Sequence, residues 1–137
     1  MELTDLQFIC AIIFGITALL IFILWPIVYF SVGRPFDRLF RNKQDQLGFF
    51  NLGIPVLTQL SRSMFYAFCI TLNYTQNTEY YKKMFDNYDF RAYSTRFQVI
   101  LSAIFVTIIF ICIIASIIAF TYPILQEWLF KIKNIIN

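Results

Sequence analysis

The sequence predicts an all-α membrane protein: a two-transmembrane-helix antiparallel hairpin with amphipathic cytoplasmic or interfacial helices. Three observations predict it. Leu6 to Gly33 and Phe97 to Gln126 contain no charged residue. Apolar residues make up 59% of the 137-residue chain and charged residues 14%, where soluble domains run at about 45–50% and 25%. Of the 11 basic residues, all but Lys131 and Lys133 lie between the two apolar runs. A soluble domain this small leaves much of its area exposed, so hydrocarbon is the expected solvent.

The first transmembrane helix is expected at about residues 7–31. A bilayer core of about 30 Å takes about 20 helical residues, and Phe8 to Phe30 is almost wholly Ile, Leu, Phe, Ala and Val. A cleaved signal peptide is the rival reading. Glu2 and Asp5 stand where a signal peptide carries Lys or Arg, and the apolar core is too long, so a retained anchor is expected. Pro26, after Trp25, predicts a kink or early unwinding, and Gly33-Arg34-Pro35 is expected to break the helix.

Residues 34–96 read as a basic amphipathic segment. Pro35 to Lys43 sets Phe36, Leu39 and Phe40 beside Arg38, Arg41 and Lys43. From Ile54 to Leu72, a helical wheel places Val56, Leu57, Leu60, Met64, Phe65, Ala67, Phe68 and Leu72 on one face. Thr58, Gln59, Arg62, Ser63 and Tyr66 fall on the other, the pattern of an amphipathic helix. Were it a third crossing, Arg62 would sit near mid-bilayer at a cost of about 2.5–3.5 kcal/mol, so a surface helix is expected.

The second transmembrane helix is expected at about 97–122, with Asp89 as its N-cap and Pro123 ending or bending it. Ser102, Thr107 and Ser116 are expected to bond back to the helix backbone. An amphipathic tail, 124–137, places Leu125, Trp128, Leu129, Ile132 and Ile136 on one side, which suits the membrane interface.

Basic residues flanking a span stay cytoplasmic. Arg34, Arg38, Arg41 and Lys43 follow the first span, and Lys82, Lys83, Arg91 and Arg96 precede the second. Both termini are therefore expected outside and residues 34–96 in the cytoplasm, with Lys131 and Lys133 opposing weakly. No Arg- and Ser-rich transit segment precedes the first span, so the expected location is a bacterial inner membrane. Ala11, Gly15 and Ala18 on one span, and Cys112, Ala115, Ser116 and Ala119 on the other, have the small-residue spacing that lets helices approach closely. The expected seam of the hairpin lies there, although Ala and Ser are also common in such helices by chance.

Chemistry is sparse. There is no histidine, which removes the commonest general base and transition-metal ligand. No Walker-type glycine loop, nucleophile elbow or zinc spacing occurs. Cys10, Cys69 and Cys112 are widely separated and read as buried packing residues. Asp86 and Asp89 are the nearest thing to a carboxylate pair, in a context better suited to a loop or cap. The spans carry no ionisable group of the kind that marks ion and proton pathways. No catalytic residue, cofactor, metal, small-molecule substrate or nucleic-acid partner is expected. The aromatics between Tyr74 and Tyr93 lie among Lys82, Lys83 and Arg91 and are expected to anchor at the interface or dock a partner. The residues assigned such a role are Trp25, Arg34, Arg38, Arg41, Arg62, Tyr66, Tyr81, Phe85, Tyr88 and Trp128.

Gly48-Phe49-Phe50, the spaced Gln59, Arg62 and Tyr66, and Arg96-Phe97 leading into the second span carry a family resemblance. In these elements and its layout the chain resembles universal stress protein B, a small bacterial inner-membrane protein with one span at each end and a polar middle. It departs in being longer, in lacking loop histidines and in its tail after Pro123. The resemblance implies a stress-associated membrane protein with no assigned reaction. The expectation is a non-enzymatic accessory or scaffolding subunit that meets the lipid bilayer and a larger inner-membrane complex. Self-association into a pore-, holin- or toxin-like assembly is the alternative.

Overall fold

A computed structural model describes residues 3–40, 53–73 and 78–136, with the backbone alone described for 3–4 and 122–136. Its order is α1 (Leu3–Val28), a π-helical segment (Tyr29–Gly33), α2 (Arg34–Leu39), α3 (Pro55–Leu72), α4 (Glu79–Met84) and α5 (Arg96–Ile136). Most of the described residues are helical, with no strand among them. Two helical runs among them, Asp5–Leu39 and Arg96–Thr121, are long and apolar enough to cross a membrane. At 1.5 Å per residue, α1 alone extends about 39 Å.

The ends of both long helices differ from expectation, and proline is the reason in each case. Gly33-Arg34-Pro35 does not break the first helix, and Pro26 lies inside α1 without unwinding it. The chain instead widens into the π segment, where the Arg34 N–H donates to the Tyr29 carbonyl, and then resumes as α2. A single widened turn of this kind is how helices commonly absorb a local irregularity. Pro35 brings no N–H to the carbonyl four residues before it, that of Ser31. The Gln98 side-chain amide donates there instead, at 2.7 Å. Pro123 likewise neither ends nor interrupts α5, which continues to Ile136. The carbonyl that Pro123 leaves without its usual donor is Ala119, and Gln7 Nε2 donates to it at 3.4 Å.

Helix α5 starts at Arg96, not at Asp89. Thr95 and Gln98 form a reciprocal cap. The Thr95 N–H donates to Gln98 Oε1 at 2.9 Å, and the Gln98 N–H donates to Thr95 Oγ1 at 3.3 Å. Asp89 caps a separate turn, accepting the N–H groups of Arg91 and Ala92 at 3.0 and 2.9 Å. That turn halts any helix starting at Asp89 before it can join α5.

The chain divides into two compact units, 1–21 with 108–137, and 22–107. In the first, Gln7 reaches Ala119, and Phe14 meets Phe120 edge-on with centroids 5.7 Å apart. Cys10, Thr17, Ile109, Ala115 and Ala119 are buried. The Thr17 hydroxyl donates to the Ile13 carbonyl at 2.8 Å, as expected of a polar side chain in an apolar helix.

The small-residue seam on α1 is corrected. Ala11 and Gly15 are exposed and Ala18 is half-buried, and a Cβ at Gly15 would meet nothing within 4 Å. The inward side of α1 is the stripe Gln7, Cys10, Phe14 and Thr17, offset from the small residues because the larger side chains make the contacts. On α5, Cys112 and Ser116 are half-buried beside the buried Ala115 and Ala119.

In the second unit, α3 packs on the π segment and α2. Its core joins Val28, Val32, Phe36 and Phe40 from the first helical run, Phe65, Tyr66, Cys69 and Ile70 from α3, and Phe85, Phe90 and Phe105 from later in the chain. Thr107 donates to the Ala103 carbonyl at 2.8 Å, as Ser116 in the first unit does to that of Ile113 at 2.8 Å. Ser102 does not: its hydroxyl is buried with no partner among the described residues.

Candidate functional site

The π segment meets α3 at Gly33. Gly33 has ordinary helical angles, φ −57°, so what matters is its missing side chain. A Cβ there would strike the Ser63 hydroxyl and stand 3.2 Å from Ser63 Cβ and 3.3 Å from Tyr29 Cδ2. Ser63 is fully buried. Its hydroxyl donates to the Gln59 carbonyl at 2.7 Å, so the close approach leaves no orphaned polar atom there.

One turn further, Asp37 of α2 faces the same side of α3. Tyr66 Oη donates to Asp37 Oδ1 at 3.1 Å, and Arg62 Nη1 stands 3.9 Å from that oxygen. The Arg62 and Asp37 side chains are only 13% and 18% exposed, so solvent screens the contact weakly. Burial first, and then the Asp37 charge, push the Tyr66 phenol well above its ordinary 10.0 because both disfavour the phenolate. Tyr66 therefore remains a hydrogen-bond donor throughout the neutral range. The arrangement joins α2 to α3.

Aromatic rings pack around this contact. Phe90 lies 5.1 Å from Phe36, 5.4 Å from Phe40, 5.1 Å from Phe85 and 5.8 Å from Tyr66, centroid to centroid. Offset and edge-on pairs at such distances contribute about 0.5–1.5 kcal/mol each beyond the area they bury. On the other side of α3 lies an apolar groove of about 360 Å³, lined by Ser61, Met64, Phe65, Phe68, Cys69, Leu72 and Tyr81.

Several residues read as interfacial or partner-docking are internal. Tyr66 is fully buried and Phe85 is 1% exposed; both belong to the aromatic cluster. Arg62 points at Asp37 instead of a headgroup. Both faces of α3 contribute to the core: Thr58, Ser63 and Tyr66 of the polar face are buried along with Phe65 and Ala67 of the apolar face, while Val56, Leu57 and Leu72 are exposed. The cause is local. Gly33 makes room for Ser63, and Asp37 supplies an acceptor for Tyr66.

Tyr81 and Tyr88 are half-buried. Tyr81 lines the groove 5.6 Å from Phe65, and Tyr88 stacks on Tyr93 at 4.9 Å. Trp25 is half-buried, and its indole N–H is buried without a partner among the described residues, not turned out as an interfacial anchor requires. Arg34 and Arg38 are exposed. Arg41, the Gly48-Phe49-Phe50 element and the Trp128 side chain lie outside the described residues.

Sequence reasoning assigned no role to Asp37 and Gln98, while it read Gly33 as a helix breaker, Ser63 as part of a polar face and Phe90 as one of the anchoring aromatics. Asp37 left a signal: it is the one carboxylate between Arg34 and Lys43. Thr95 and Gln98 left another, the capping-box spacing. Among the described residues, no group of three or more His, Cys, Asp or Glu could hold a metal ion.

Compared with known proteins, the chain matches no family model, no curated protein and no solved structure.

Proposed function

We propose that this chain is a non-enzymatic integral membrane protein of the bacterial inner membrane, acting as an accessory or scaffolding subunit of a larger membrane complex. The observation that carries the reading is the outward apolar surface of both long helices. Phe8, Ile16, Leu19 and Phe22 on α1, and Ile100, Ile114, Ile117 and Phe120 on α5, are all more than half exposed. That surface needs lipid or a partner's helices. Asp37 of α2 meanwhile meets Tyr66 and Arg62 of α3.

In this reading α1 and α5 form an antiparallel hairpin. Two glutamine contacts support it: Gln7 with Ala119 and Gln98 with Ser31. Residues 34–96 face the cytoplasm, with both termini outside, by the distribution of Lys and Arg. The resemblance to universal stress protein B adds a stress-associated setting.

Purification of the tagged full chain in mild detergent tests the proposal. A partner recovered at fixed stoichiometry is expected. A lone monomer overturns it, and a homo-oligomer that conducts ions in reconstituted bilayers favours the self-assembling alternative.

A further inference from the structure

The two charge-free runs end side by side. Arg34 is the first basic residue of the chain and Arg96 the last before Lys131. Each closes the charge-free part of a helical run long enough to cross a membrane. The hydrogen bond from the Gln98 amide to the Ser31 carbonyl, at 2.7 Å, joins those two edges. Ser31 lies just before Arg34 in the first run, and Gln98 just after Arg96 in the second. Arg38 follows Arg34 by about one turn on α2, which sets both on the same side of that helix.

The surface at this edge has two parts. On its apolar side Phe30, Phe97 and Ile100 are each 60% exposed. On its polar side Arg34, Arg38 and Arg96 are all exposed. Arg62 stands by Asp37, whereas none of these three arginines has an ion pair or side-chain hydrogen bond among the described residues. Hydrocarbon-seeking rings followed at once by unpaired cations match the boundary between acyl chains and headgroups. A guanidinium also offers a planar fork of donors that fits phosphate oxygens two at a time. An acidic polypeptide would meet the arginines and leave the neighbouring rings in water. An anionic lipid meets both, with its headgroup and its chains.

We propose that Arg34, Arg38 and Arg96 form a binding edge for the headgroups of anionic phospholipids. The proposal rests on the membrane reading above, and its test separates the two. The full chain is reconstituted in phosphatidylcholine vesicles carrying a trace of phosphatidylglycerol or phosphatidylcholine spin-labelled on an acyl chain. Electron paramagnetic resonance then resolves lipid held at the protein from fluid lipid. Phosphatidylglycerol is expected to associate several-fold more strongly than phosphatidylcholine, and the preference should shrink in high salt as the charges are screened. Arg34→Gln, Arg38→Gln and Arg96→Gln should each lower it, and together bring it close to parity without reducing the phosphatidylcholine held. Lys83→Gln, which removes an exposed charge from α4, should leave it unchanged. If the triple variant does not fold, the single variants decide. Equal association of the two lipids by the native chain, or a preference that survives the arginine substitutions, overturns the headgroup site while the membrane reading stands. So does an equal loss with Lys83→Gln, which would reduce the effect to net charge. Absence of any held lipid overturns both.

Discussion

Gln98 donates its side-chain amide to the carbonyl of Ser31 at 2.7 Å, and the same amide group accepts the Thr95 N–H at 2.9 Å. One side chain thus caps the start of α5 and serves the carbonyl that Pro35, four residues on from Ser31, cannot reach with an N–H of its own. Gln7 stands in the same relation to Ala119 and Pro123, with a longer contact of 3.4 Å. In each case a proline within a long helix is matched by a glutamine from the other long helix.

Gln98→Leu is therefore expected to destabilise the fold by about 1–2 kcal/mol, since a hydrogen bond and a cap are lost together. Pro35→Ala in that background restores an N–H near Ser31 and should recover part of the loss. Denaturant titration in detergent micelles measures both. Gln98→Leu alone should also cost more than Gln7→Leu, whose contact is longer.

The two helical glycines of the first run should respond oppositely to alanine. Gly33→Ala sets a methyl group against buried Ser63 and should destabilise by about 1–3 kcal/mol through overpacking. Ser63→Gly in the same chain should relieve it. Gly15→Ala meets open space and should be neutral or stabilising by up to about 1 kcal/mol. The same titrations decide, and equal losses at both positions would contradict the assigned packing.

Tyr66→Phe removes the bond to Asp37 and should cost about 1 kcal/mol at neutral pH. It should also change the response to alkali. The Tyr66 phenol is held above its ordinary 10.0 by burial and the Asp37 charge, so the folded state resists ionisation that the unfolded state accepts. The stability from this group is complete below pH 10.0 and falls as pH rises above it. Unfolding followed between neutral pH and strong alkali should show a steeper loss for the native chain than for Tyr66→Phe.

Cys69 is buried and its thiol pushed up, so little thiolate forms near neutrality. In a chain carrying Cys10→Ala and Cys112→Ala, maleimide labelling of Cys69 should be negligible in the folded protein and rapid in denaturant. Fast labelling under native conditions would contradict the packing of α3.

Much of the fold was legible in the residues because hydrocarbon imposes a coarse rule: long charge-free runs mark long helices. Where those helices end was not legible. Pro35 and Pro123 read as stops because local propensity carries no knowledge of Gln98 and Gln7, which stand far away in sequence. The α3 helix was legible, but its facing was not. Helical periodicity identifies two faces and assumes that the apolar one turns inward. Here Phe65 and Ala67 of the apolar face do turn inward, but Gly33 and Asp37 draw Ser63 and Tyr66 of the polar face inside as well. Asp89 and Thr95 show the same limit on a smaller scale, since both have capping chemistry and only the turn between them determines which one starts α5. The aromatics from Phe85 to Phe90 were read as an external anchor because nothing local reveals that Phe36 and Phe40 are their partners.

The central claim is that two apolar helices lie in hydrocarbon and leave the basic segment between them on one side. Accessibility labelling of single cysteines in intact cells or sealed inner-membrane vesicles tests it most directly, with probe sites at Arg38, Lys82 and each end of the chain. Arg38 and Lys82 should be labelled from the cytoplasmic side and both ends from the opposite side. Labelling of Arg38 and Lys82 from opposite sides, or recovery of the chain in the soluble fraction without detergent, would contradict the account.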